Sequence, residues 1–300
     1  MKFSAGIITY ERPEHTERLV NSILQGEELP EEVVIVDDSD SGKTEEKVRK
    51  IEFPEEVSLN YIRRKGKTIQ GEARNKLVEE AQGDVICFLD DDTEATETWL
   101  KSLKEVYEDE EVTGAGGPAI VTDEEKNPRY EIIKSEENQN HFNKYGESQD
   151  MSGRWIPPEP VDTDRFIGAN MSFRKGKIQE YGGFSADYKG NGFREEDSLM
   201  VKMWKNDEKF IYHPEAKVYH FTAPNGGSRA SKNAIYWKGR NLIRFTKENF
   251  PENYHRALLR LLFKTDYYPP PLWKDIAGTV IYRKPERLWK FKGYLDEVLE

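Results

Sequence analysis

The run Val85-Ile86-Cys87-Phe88-Leu89-Asp90-Asp91-Asp92 joins five apolar residues directly to three acids. An apolar run of this length is typical of a buried strand, so the acids fall where that strand ends. In open α/β sheets, ligands bind outside the carboxyl ends of the strands. Crowded carboxylates repel one another unless a cation lies among them, and hard divalent cations prefer oxygen ligands. The run therefore predicts a divalent metal site, with a phosphate-bearing ligand, at the edge of a sheet.

Strand and helix patterns alternate along the first hundred residues, an order that favours an α/β fold with a mostly parallel sheet flanked by helices. We predict strands at residues 4–9, 32–36, 59–62, 85–89, 165–173, 210–212 and 217–221. We predict helices from Pro13, over residues 71–82 with Gly83 as the C-cap, over residues 99–106 and 175–181, and from Glu195. Residues 122–160 are polar and lack periodicity, so we expect a long loop over the ligand site.

The composition predicts a soluble, cytoplasmic enzyme. Cys87 is the single cysteine, so no disulfide forms within the chain, and packing in the core is its expected role. The sequence has no apolar stretch of membrane-spanning length and no signal-peptide pattern. A net charge of −11 argues against general nucleic-acid binding.

The charge is unevenly distributed, because residues 229–300 carry 15 Lys and Arg against 8 Asp and Glu. That basic segment is net +7, and residues 1–228 carry −18. We predict a main domain of residues 1–225, followed by a mostly helical extension of residues 226–300. Two interpretations of the extension stay open. Its helices either pack on the main domain with their basic groups solvated, or they contact the inner face of a membrane.

Polar clusters follow three of the predicted strands: Thr9-Tyr10-Glu11-Arg12, Asp37-Asp38 and Asp90–Asp92. Since parallel strands end at the same edge of a sheet, we expect these clusters to converge. An acid at that edge can hydrogen-bond a ribose or a base. The amides of a helix that opens at Gly71 attract phosphate, and Arg74 lies in its first turn. Together these groups predict a nucleoside-diphosphate site.

Each of these features also has a simpler interpretation. The Asp37-Asp38 pair is typical of a solvated turn after a strand. Arg74 can pair with Glu72 or Glu79 on its own helix instead of with a ligand. The ordered appearance of such clusters at successive strand ends is what favours a ligand site.

Several short motifs follow one another in a recognisable order along the chain. They are residues 4–23, Val33–Ser39, Gly71–Asn75, Phe88–Asp92, Gly168–Met171, Gly182–Phe184 and Phe193–Asp197. With these motifs, roughly residues 3–221 resemble the family 2 glycosyltransferases, which have the GT-A fold with a Rossmann-like sheet. The resemblance implies transfer of a hexosyl unit from a nucleotide-sugar donor to a glycan or lipid-linked acceptor, commonly with inversion at the anomeric carbon.

The resemblance also implies a donor site at the strand edge. Asp37 or Asp38 would hold the nucleoside, with help from Arg12. Asp90 and Asp92 would form a D-x-D motif that binds Mn²⁺ or Mg²⁺, with Asp92 the most direct ligand and Asp91 mainly a spacer. The residues predicted to contact the donor are Thr9, Tyr10, Arg12, Asp37, Asp38, Gly71, Arg74, Asp90 and Asp91.

Inversion requires a base on the face of the sugar opposite the leaving group. The acids Glu195-Glu196-Asp197, which open a predicted helix, are the candidates. Alignment on Phe193-Arg194 selects Glu196, whereas alignment on the family's Glu-Asp pair selects Asp197. We predict Asp197 as the base, with Glu196 as the close alternative. Acids at this position also complement the positive end of the helix dipole, which is the simpler explanation.

Three further features complete the predicted site. His220 ends the last sheet-like segment, where related enzymes often complete the metal or diphosphate site, so we predict it as a third metal ligand; a packed surface histidine is the alternative. The loop of residues 225–229 either closes over the diphosphate or acts as a linker. Trp155 is expected on the acceptor side, where aromatic rings stack on sugars.

Three other functions compete with sugar transfer. A sugar-phosphate nucleotidyltransferase would carry a glycine-rich loop after the first strand, and residues 9–12 contain no glycine. An aspartate-dependent phosphatase would have Thr or Val two residues past the second acid, where Glu94 stands. A glycosyltransferase-like module that binds nucleotide sugar or glycan without turnover stays open as a non-enzymatic alternative.

Overall fold

A computed structural model describes residues 1–64, 66, 69–137, 140–148, 153–222, 233–263 and 286–299, without the side chains of residues 261–263 and 286–288. The predicted loop at residues 225–229 lies outside these described residues. The predicted boundary between residues 225 and 226 lies outside them as well, so the division into two domains stays a prediction.

The described residues form one large sheet and one small sheet. The strands are β1 (Phe3–Thr9), β2 (Glu32–Asp37), β3 (Ser58–Arg63), β4 (Val85–Asp90), β5 (Thr93–Ala95), β6 (Val112–Gly116), β7 (Ala119–Val121), β8 (Val161–Asp162), β9 (Asn170–Arg174), β10 (Lys209–Tyr212) and β11 (Val218–His220). The large sheet has the order β3-β2-β1-β4-β9-β6-β10-β8, and the small sheet has the order β5-β11-β7. Strands β3, β2, β1 and β4 are mutually parallel, whereas β9 is antiparallel to both of its neighbours. The predicted α/β class with a mostly parallel sheet is confirmed.

The strand register brings the predicted clusters to one edge. Thr9 is paired with Asp37 across β1 and β2, and Ile8 is paired with Asp90 across β1 and β4. In the small sheet, β11 runs antiparallel to β5 and pairs His220 with Thr93, the residue directly after Asp92. The carboxyl ends of three parallel strands and the end of β11 therefore meet at the same place.

Helices cover both faces of the large sheet and continue beyond it. They are α1 (Pro13–Leu24), α2 (Lys43–Val48), α3 (Gln70–Glu80), α4 (Trp99–Val106), α5 (Lys175–Glu180), α6 (Glu195–Trp204), α7 (Ala234–Asn249), α8 (Tyr254–Phe263) and α9 (Glu286–Leu299), with a 3₁₀ turn at Pro251–Asn253. Pro13 begins α1, where its missing N–H costs no helical hydrogen bond. The predicted helices are present, and the short α2 is one that the sequence pattern does not predict.

Two local predictions are wrong. Gly83 does not cap α3, because that helix ends at Glu80 and the next residue, Ala81, is already extended. The Gly83 amide instead donates to Ser4 Oγ at 2.9 Å, and a Cβ at Gly83 would lie 2.4 Å from that same oxygen, so close packing explains the glycine. The strand predicted from residue 165 begins only at Asn170. Before it, the Asn170 amide donates to the Ile167 carbonyl oxygen in a turn, and Arg165 pairs with Asp197 of α6.

Alternating side chains of the central strands fill two separate cores. In β2, Val33 and Ile35 join the core on one face of the sheet, and Val34 and Val36 join the core on the other. This two-residue alternation is that of a strand buried on both faces. Cys87 is buried in the first core, as predicted.

Trp155 is part of the core, contrary to the predicted position on the acceptor side. Its side chain is fully buried in the second core and stacks on Tyr212, with 4.9 Å between the ring centroids. The indole nitrogen donates to the carbonyl oxygen of Ser135. A buried indole with a satisfied N–H stabilises the loop that contains it.

The C-terminal helices pack on the rest of the chain. Helix α7 contacts both α6 and α9. A Cβ at Gly239 of α7 would lie 2.3 Å from the carbonyl oxygen of Lys290, so the axes of α7 and α9 approach closely at this glycine. The basic side chains are partly neutralised, since Glu297 accepts from both Arg240 and Arg244. These contacts favour the packing interpretation of the basic segment. None of the helices formed by described residues has both the length and the apolar character needed to cross a membrane.

Candidate active site

The loops after β1 and β2 are tied together at the strand edge. Ser41 donates to Glu11 through its amide at 2.9 Å and its hydroxyl at 2.6 Å, and the Glu11 amide donates to Ser39 Oγ at 2.7 Å. Glu11 itself has φ 53°, a left-handed conformation that a non-glycine residue adopts at a cost. The two loops that carry the first two polar clusters are therefore held in one conformation.

The two acids after β2 have different environments. Asp37 is buried, and its carboxylate accepts from the Ser39 amide at 2.9 Å and from the Tyr61 hydroxyl at 2.6 Å. Burial, followed by the hydrogen bond to Asp37, raises the pKa of Tyr61, so this hydroxyl stays protonated as a donor. Asp38 instead forms a two-point ion pair with Arg64, with Nε–Oδ1 and Nη2–Oδ2 distances of 2.7 and 2.9 Å. Asp37 is therefore a fixed acceptor at the edge, whereas Asp38 is neutralised by a cation.

Asp91, the middle acid of the strand-end triplet, turns inward. It is 4% exposed, and it accepts from Thr9 Oγ1 at 2.8 Å and from Arg12 Nη1 at 2.6 Å. Burial raises the pKa of Asp91 to about 6, against the opposing effect of Arg12. Asp91 therefore ties the triplet to the loop after β1 and separates the two predicted metal ligands. Its predicted contact with the donor stays a prediction.

The outer two acids of the triplet lie beside His220. Asp90, Asp92 and His220 each offer a ligand atom, and these atoms all lie within 4.8 Å of one another. His220 Nε2 is 3.1 Å from Asp92 Oδ1, and the buried His220 Nδ1 has no hydrogen-bond partner among the described residues. Arg12 Nη1 lies 3.2 Å from Asp92 Oδ2 and balances part of the charge. Two carboxylates and an imidazole suit a divalent ion of the Mn²⁺ type, so these residues fit the predicted metal.

The second group of acids occupies the first turn of α6, and each acid there has a different partner. Glu195 is fully buried and forms an ion pair with Arg74 of α3. Arg74 therefore pairs with Glu195, and not with Glu72 or Glu79 of its own helix. Asp197 is also buried and accepts from two other arginines, Arg165 and Arg194. Glu196, between them, is half-buried and takes part in none of the salt bridges formed by described residues.

The three acids also differ in basicity. Burial raises the pKa of Glu196, Arg74 opposes the rise, and the carboxylate of Asp197 adds to it. Burial also acts to raise the pKa of Asp197, but Arg165 and Arg194 outweigh burial, so that this pKa lies below its usual value. For Glu195, burial raises the pKa against the effect of Arg74. A carboxylate with a raised pKa is the stronger proton acceptor once it is ionised, so Glu196 has the better chemistry for a base.

Glycines allow the start of α6 to approach the strand edge. A Cβ at Gly168 would lie 3.0 Å from Glu196 Oε1 and 3.2 Å from Arg74 Nη2, so the bare backbone leaves room for both side chains. Arg74 interacts electrostatically with Glu196 and with Asp90 of the strand-end triplet. The two groups of acids are therefore neighbours across Arg74.

Gly71 has a packing explanation. A Cβ there would lie 2.4 Å from the carbonyl oxygen of Ser185, which no side chain permits. Helix α3 begins at Gln70, and Gly71 is buried in its first turn. The predicted contact of Gly71 with donor phosphate stays a prediction.

Tyr10 is half-buried, and burial, followed by the negative charges of Asp40 and Glu11, raises the pKa of its hydroxyl.

Sequence reasoning missed two residues of the site, Arg165 and Arg194. Arg165 lies in an irregular segment with no local signal of its role. Arg194 adjoins the acids of α6, and its φ of 71° is a left-handed conformation, which is uncommon for arginine. Their partner Asp197 is identifiable from the sequence, but the pairing itself is not.

Comparison with known proteins adds independent findings on the family. The sequence profile of glycosyl transferase family 2 matches residues 4–174, more than half of the chain. A glucosyl-dolichyl phosphate glucuronosyltransferase of Haloferax volcanii is 25% identical over an alignment of 244 residues, and the match covers 73% of this chain and 69% of that protein. The profile favours sugar transfer over the nucleotidyltransferase and phosphatase alternatives.

Solved structures share the fold at low sequence identity. GalNAc-T7 with UDP, GalNAc and Mn²⁺ has a TM-score of 0.64 and 17% identity, and the match covers 100% of this chain and 56% of GalNAc-T7. The Pyrobaculum calidifontis mannosyltransferase PcManGT with GDP-Man and Mn²⁺ has a TM-score of 0.58 and 14% identity, with 99% and 87% covered. S. aureus TarS 1–349 with UDP-GlcNAc has a TM-score of 0.56 and 16% identity, with 98% and 89% covered. These likenesses confirm the predicted GT-A fold.

Proposed function

The chain belongs to glycosyl transferase family 2, and we propose that it transfers a hexosyl unit from a nucleoside-diphosphate sugar to a hydroxyl group of a glycan or lipid-linked acceptor, with inversion. The observation that carries this proposal is the meeting of two groups of acids across Arg74. Asp90, Asp92 and His220 form a cluster with metal-binding geometry, and Glu196 lies beside the same arginine. A transferase of this type needs both a site for the leaving diphosphate and a separate base.

The strand edge is the proposed donor site. Asp37 is a fixed acceptor at the end of β2, in the position where an acid commonly binds ribose or base in α/β nucleotide sites. Asp90, Asp92 and His220 would hold Mn²⁺ or Mg²⁺, and such an ion supplies charge neutralisation for the diphosphate as it leaves. The complexes of PcManGT with GDP-Man and Mn²⁺ and of TarS with UDP-GlcNAc support a nucleotide-sugar donor.

Glu196 is the proposed base. This choice differs from the prediction from the sequence, which placed Asp197 first and Glu196 second. Both oxygens of Asp197 accept hydrogen bonds from arginines, and its pKa is lowered. Glu196 is half-buried and has a raised pKa. In the proposed step, Glu196 takes the proton of the acceptor hydroxyl as that oxygen bonds to the anomeric carbon. The bond from the anomeric carbon to the phosphate oxygen breaks, and the nucleoside diphosphate leaves with the electron pair.

The proposal also includes an acceptor and a location. The Haloferax relative is named for transfer to a glucosyl-dolichyl phosphate, so a lipid-linked sugar is the first acceptor to test. We propose a cytoplasmic location with peripheral contact to the inner face of a membrane through residues 229–300, because the net charge of +7 in that segment would attract it to anionic lipids. Packing of α7 and α9 on the main domain is compatible with such contact, because a packed helix still presents one face outward.

A panel of ligands tests the donor site. The melting temperature would be measured with UDP, GDP and dTDP, each with and without Mn²⁺. We expect one nucleotide to stabilise the protein in the presence of Mn²⁺ and to do so much less in its absence, because only the folded state binds it. Absence of metal-dependent stabilisation by every nucleotide would refute the donor site.

Turnover then separates an enzyme from a silent binding module. The nucleotide that stabilises the protein determines which nucleotide sugars are tested as donors, and nucleotide-linked glucuronic acid is one of them. Each donor is offered together with polyprenyl-phosphate-linked glucose as the acceptor. Release of nucleoside diphosphate that depends on the acceptor supports transfer. Binding of the donor without such release, for every acceptor tested, would favour the silent module.

A further inference from the structure

Asp197 is enclosed by two arginines from different parts of the chain. Its Oδ1 accepts from Arg165 Nε at 3.0 Å, and its Oδ2 accepts from Arg194 Nη1 at 2.6 Å and from Arg165 Nη2 at 3.4 Å. All three side chains are nearly buried, with exposures of 6% for Arg165, 3% for Arg194 and 3% for Asp197. Ion pairs that are removed from water cost desolvation, so burial alone does not make this cluster a source of stability. We call these three residues the arginine clamp.

The clamp connects the start of α6 to three other segments. Arg194 is the residue before the helix, and its φ of 71° is held by contacts of its own side chain. Nη2 donates to the Gly146 carbonyl at 2.9 Å, Nη1 donates to Ser148 Oγ at 3.3 Å, and the guanidinium lies 4.6 Å from the ring centroid of Phe245 in α7. A left-handed residue persists where surrounding contacts hold it, and here those contacts come from distant segments.

The geometry of the helix explains how this clamp can fix the direction of the Glu196 side chain. Glu195, Glu196 and Asp197 occupy the first turn of α6, where successive side chains point about 100° apart. Arg74 holds the side chain before Glu196, and the clamp holds the side chain after it. With both flanking directions occupied, Glu196 is left facing the side where Gly168 makes room.

We propose that Asp197 is a positioning residue, which acts through Arg165 and Arg194 to hold Glu196 beside Arg74 at the edge of the donor site. The proposal rests on the function proposed above and adds a role for an acid that the sequence identified as the base. The simpler explanation is that the clamp only stabilises the fold. The two explanations differ in what happens to Glu196 when Asp197 loses its charge.

The dependence of kcat on pH separates them. Arg74 and the carboxylates of Asp90, Glu195 and Asp197 interact electrostatically with Glu196, and the charge of Asp197 contributes to its raised pKa. In the wild type, activity should rise with pH as Glu196 loses its proton. In Asp197→Asn, one source of repulsion is removed, so the pKa of Glu196 falls and the acid limb of the profile moves to lower pH.

The test compares Asp197→Asn with a matched control, Glu297→Gln. Glu297 is also a buried carboxylate between two arginines, Arg240 and Arg244, but it joins α9 to α7 and does not adjoin Glu196. We expect Asp197→Asn to lower kcat about 10- to 100-fold through misplacement of the base, to leave the donor KM within about twofold of the wild type, since the strand edge is untouched, and to shift the acid limb. Glu297→Gln should keep the wild-type acid limb, even if its melting temperature falls as far.

Arg194→Lys is the second variant, for use if Asp197→Asn does not fold. It keeps the charge next to Asp197 but loses the planar fork that reaches Gly146 and Ser148. It should lower kcat with an unchanged donor KM and an unmoved acid limb, because Asp197 keeps its charge. A wild-type kcat in this variant would overturn the proposal.

Other outcomes would overturn the proposal in identifiable ways. If Asp197→Asn abolishes activity at every pH while Glu196→Gln remains active, Asp197 is the base itself. If Asp197→Asn leaves the acid limb where it is in the wild type, the clamp is only structural. If the wild-type protein turns over no donor, the proposed function fails as well. If the wild type is active and the acid limb of Asp197→Asn is unmoved, only the proposed role of the clamp fails.

Discussion

Two runs of three acids lie next to each other in this site, and they use their members in opposite ways. In Asp90–Asp92 the outer two acids face His220 and the middle acid is buried against Thr9 and Arg12. In Glu195–Asp197 the outer two acids are buried against arginines and the middle acid is half-exposed. The same sequence pattern therefore yields two sites with different chemistry.

The backbone explains the difference. Asp90 ends β4, and Asp91 and Asp92 form the tight turn that leads into β5. This turn brings ligand atoms of the first and third acids within 4.8 Å of each other and of His220, so they can share one ion. Glu195 begins a helix, where neighbouring side chains fan out about 100° apart and the acids cannot converge. The run in the turn after β4 is suited to collect charge around a metal, and the helical run is suited to isolate one carboxylate between two neutralised neighbours.

The largest expected effect is that of Glu196→Gln, which tests the middle acid of the helical run. The variant keeps the shape of the side chain but cannot accept the acceptor's proton, so kcat should fall by about 10²- to 10⁴-fold. Steady-state turnover of the donor measures this loss. Stabilisation by nucleoside diphosphate and Mn²⁺ should stay at the wild-type level. A variant with more than half of the wild-type kcat would contradict the assignment of the base.

Arg74→Met tests whether an outer acid of the helical run depends on its cation. Glu195 is fully buried, so loss of Arg74 leaves its charge without a counter-ion and should cost about 3–5 kcal/mol in the free energy of unfolding. Urea denaturation measures the cost. Lys76→Met on the same helix is the control, because its pairs with Glu79 and Glu80 lie at the protein surface and contribute less than about 1 kcal/mol. Equal losses in both variants would argue against a special role for the buried pair.

Asp92→Asn tests an outer acid of the strand-end run against its middle acid. Loss of a proposed metal ligand should lower kcat about 100-fold or more at fixed Mn²⁺, since the ion supplies several kcal/mol of charge stabilisation. Mn²⁺ titration of activity measures the change in half-saturation. Asp91→Asn should keep the wild-type half-saturation, because its carboxylate faces Thr9 and Arg12. A larger shift in Asp91→Asn than in Asp92→Asn would reverse the two roles.

Gly239→Ala has the smallest expected effect. It tests whether the C-terminal helices support the acids Glu195–Asp197 of α6 without affecting the strand edge. The new Cβ would meet the Lys290 carbonyl, so overpacking should cost about 1–3 kcal/mol in the free energy of unfolding. Gly176→Ala in α5 is the control, since nothing lies within 4 Å of its Cβ and a helical alanine should stabilise by up to about 1 kcal/mol. Metal-dependent stabilisation by nucleotide should survive in Gly239→Ala. Loss of it would connect α7 to the strand edge, contrary to the contacts described.

Much of the donor side could be predicted from local sequence. Strands β1, β2 and β4 alternate apolar side chains between two cores, so their positions follow from a two-residue period. Their polar ends then have to meet because the strands are parallel. Gly83 shows the limit of such reasoning, because its sequence position is that of a helix cap while its role is contact with Ser4, a neighbour only in the folded chain.

The sequence by itself determined the α/β class, the parallel arrangement of the strands in the first half, and the presence of acids at one edge with a third acid group at a helix start. Those features depend on periodicity and on residues close together in the chain. Only the tertiary structure decided which acid of each run faces the site. That choice depends on cations far away in sequence: Arg12 is 79 residues from Asp91, Arg74 is 121 residues from Glu195, and Arg165 is 32 residues from Asp197. A buried carboxylate turns toward its counter-ion, because an unpaired charge in the interior is too costly, and no local pattern records where that counter-ion will lie.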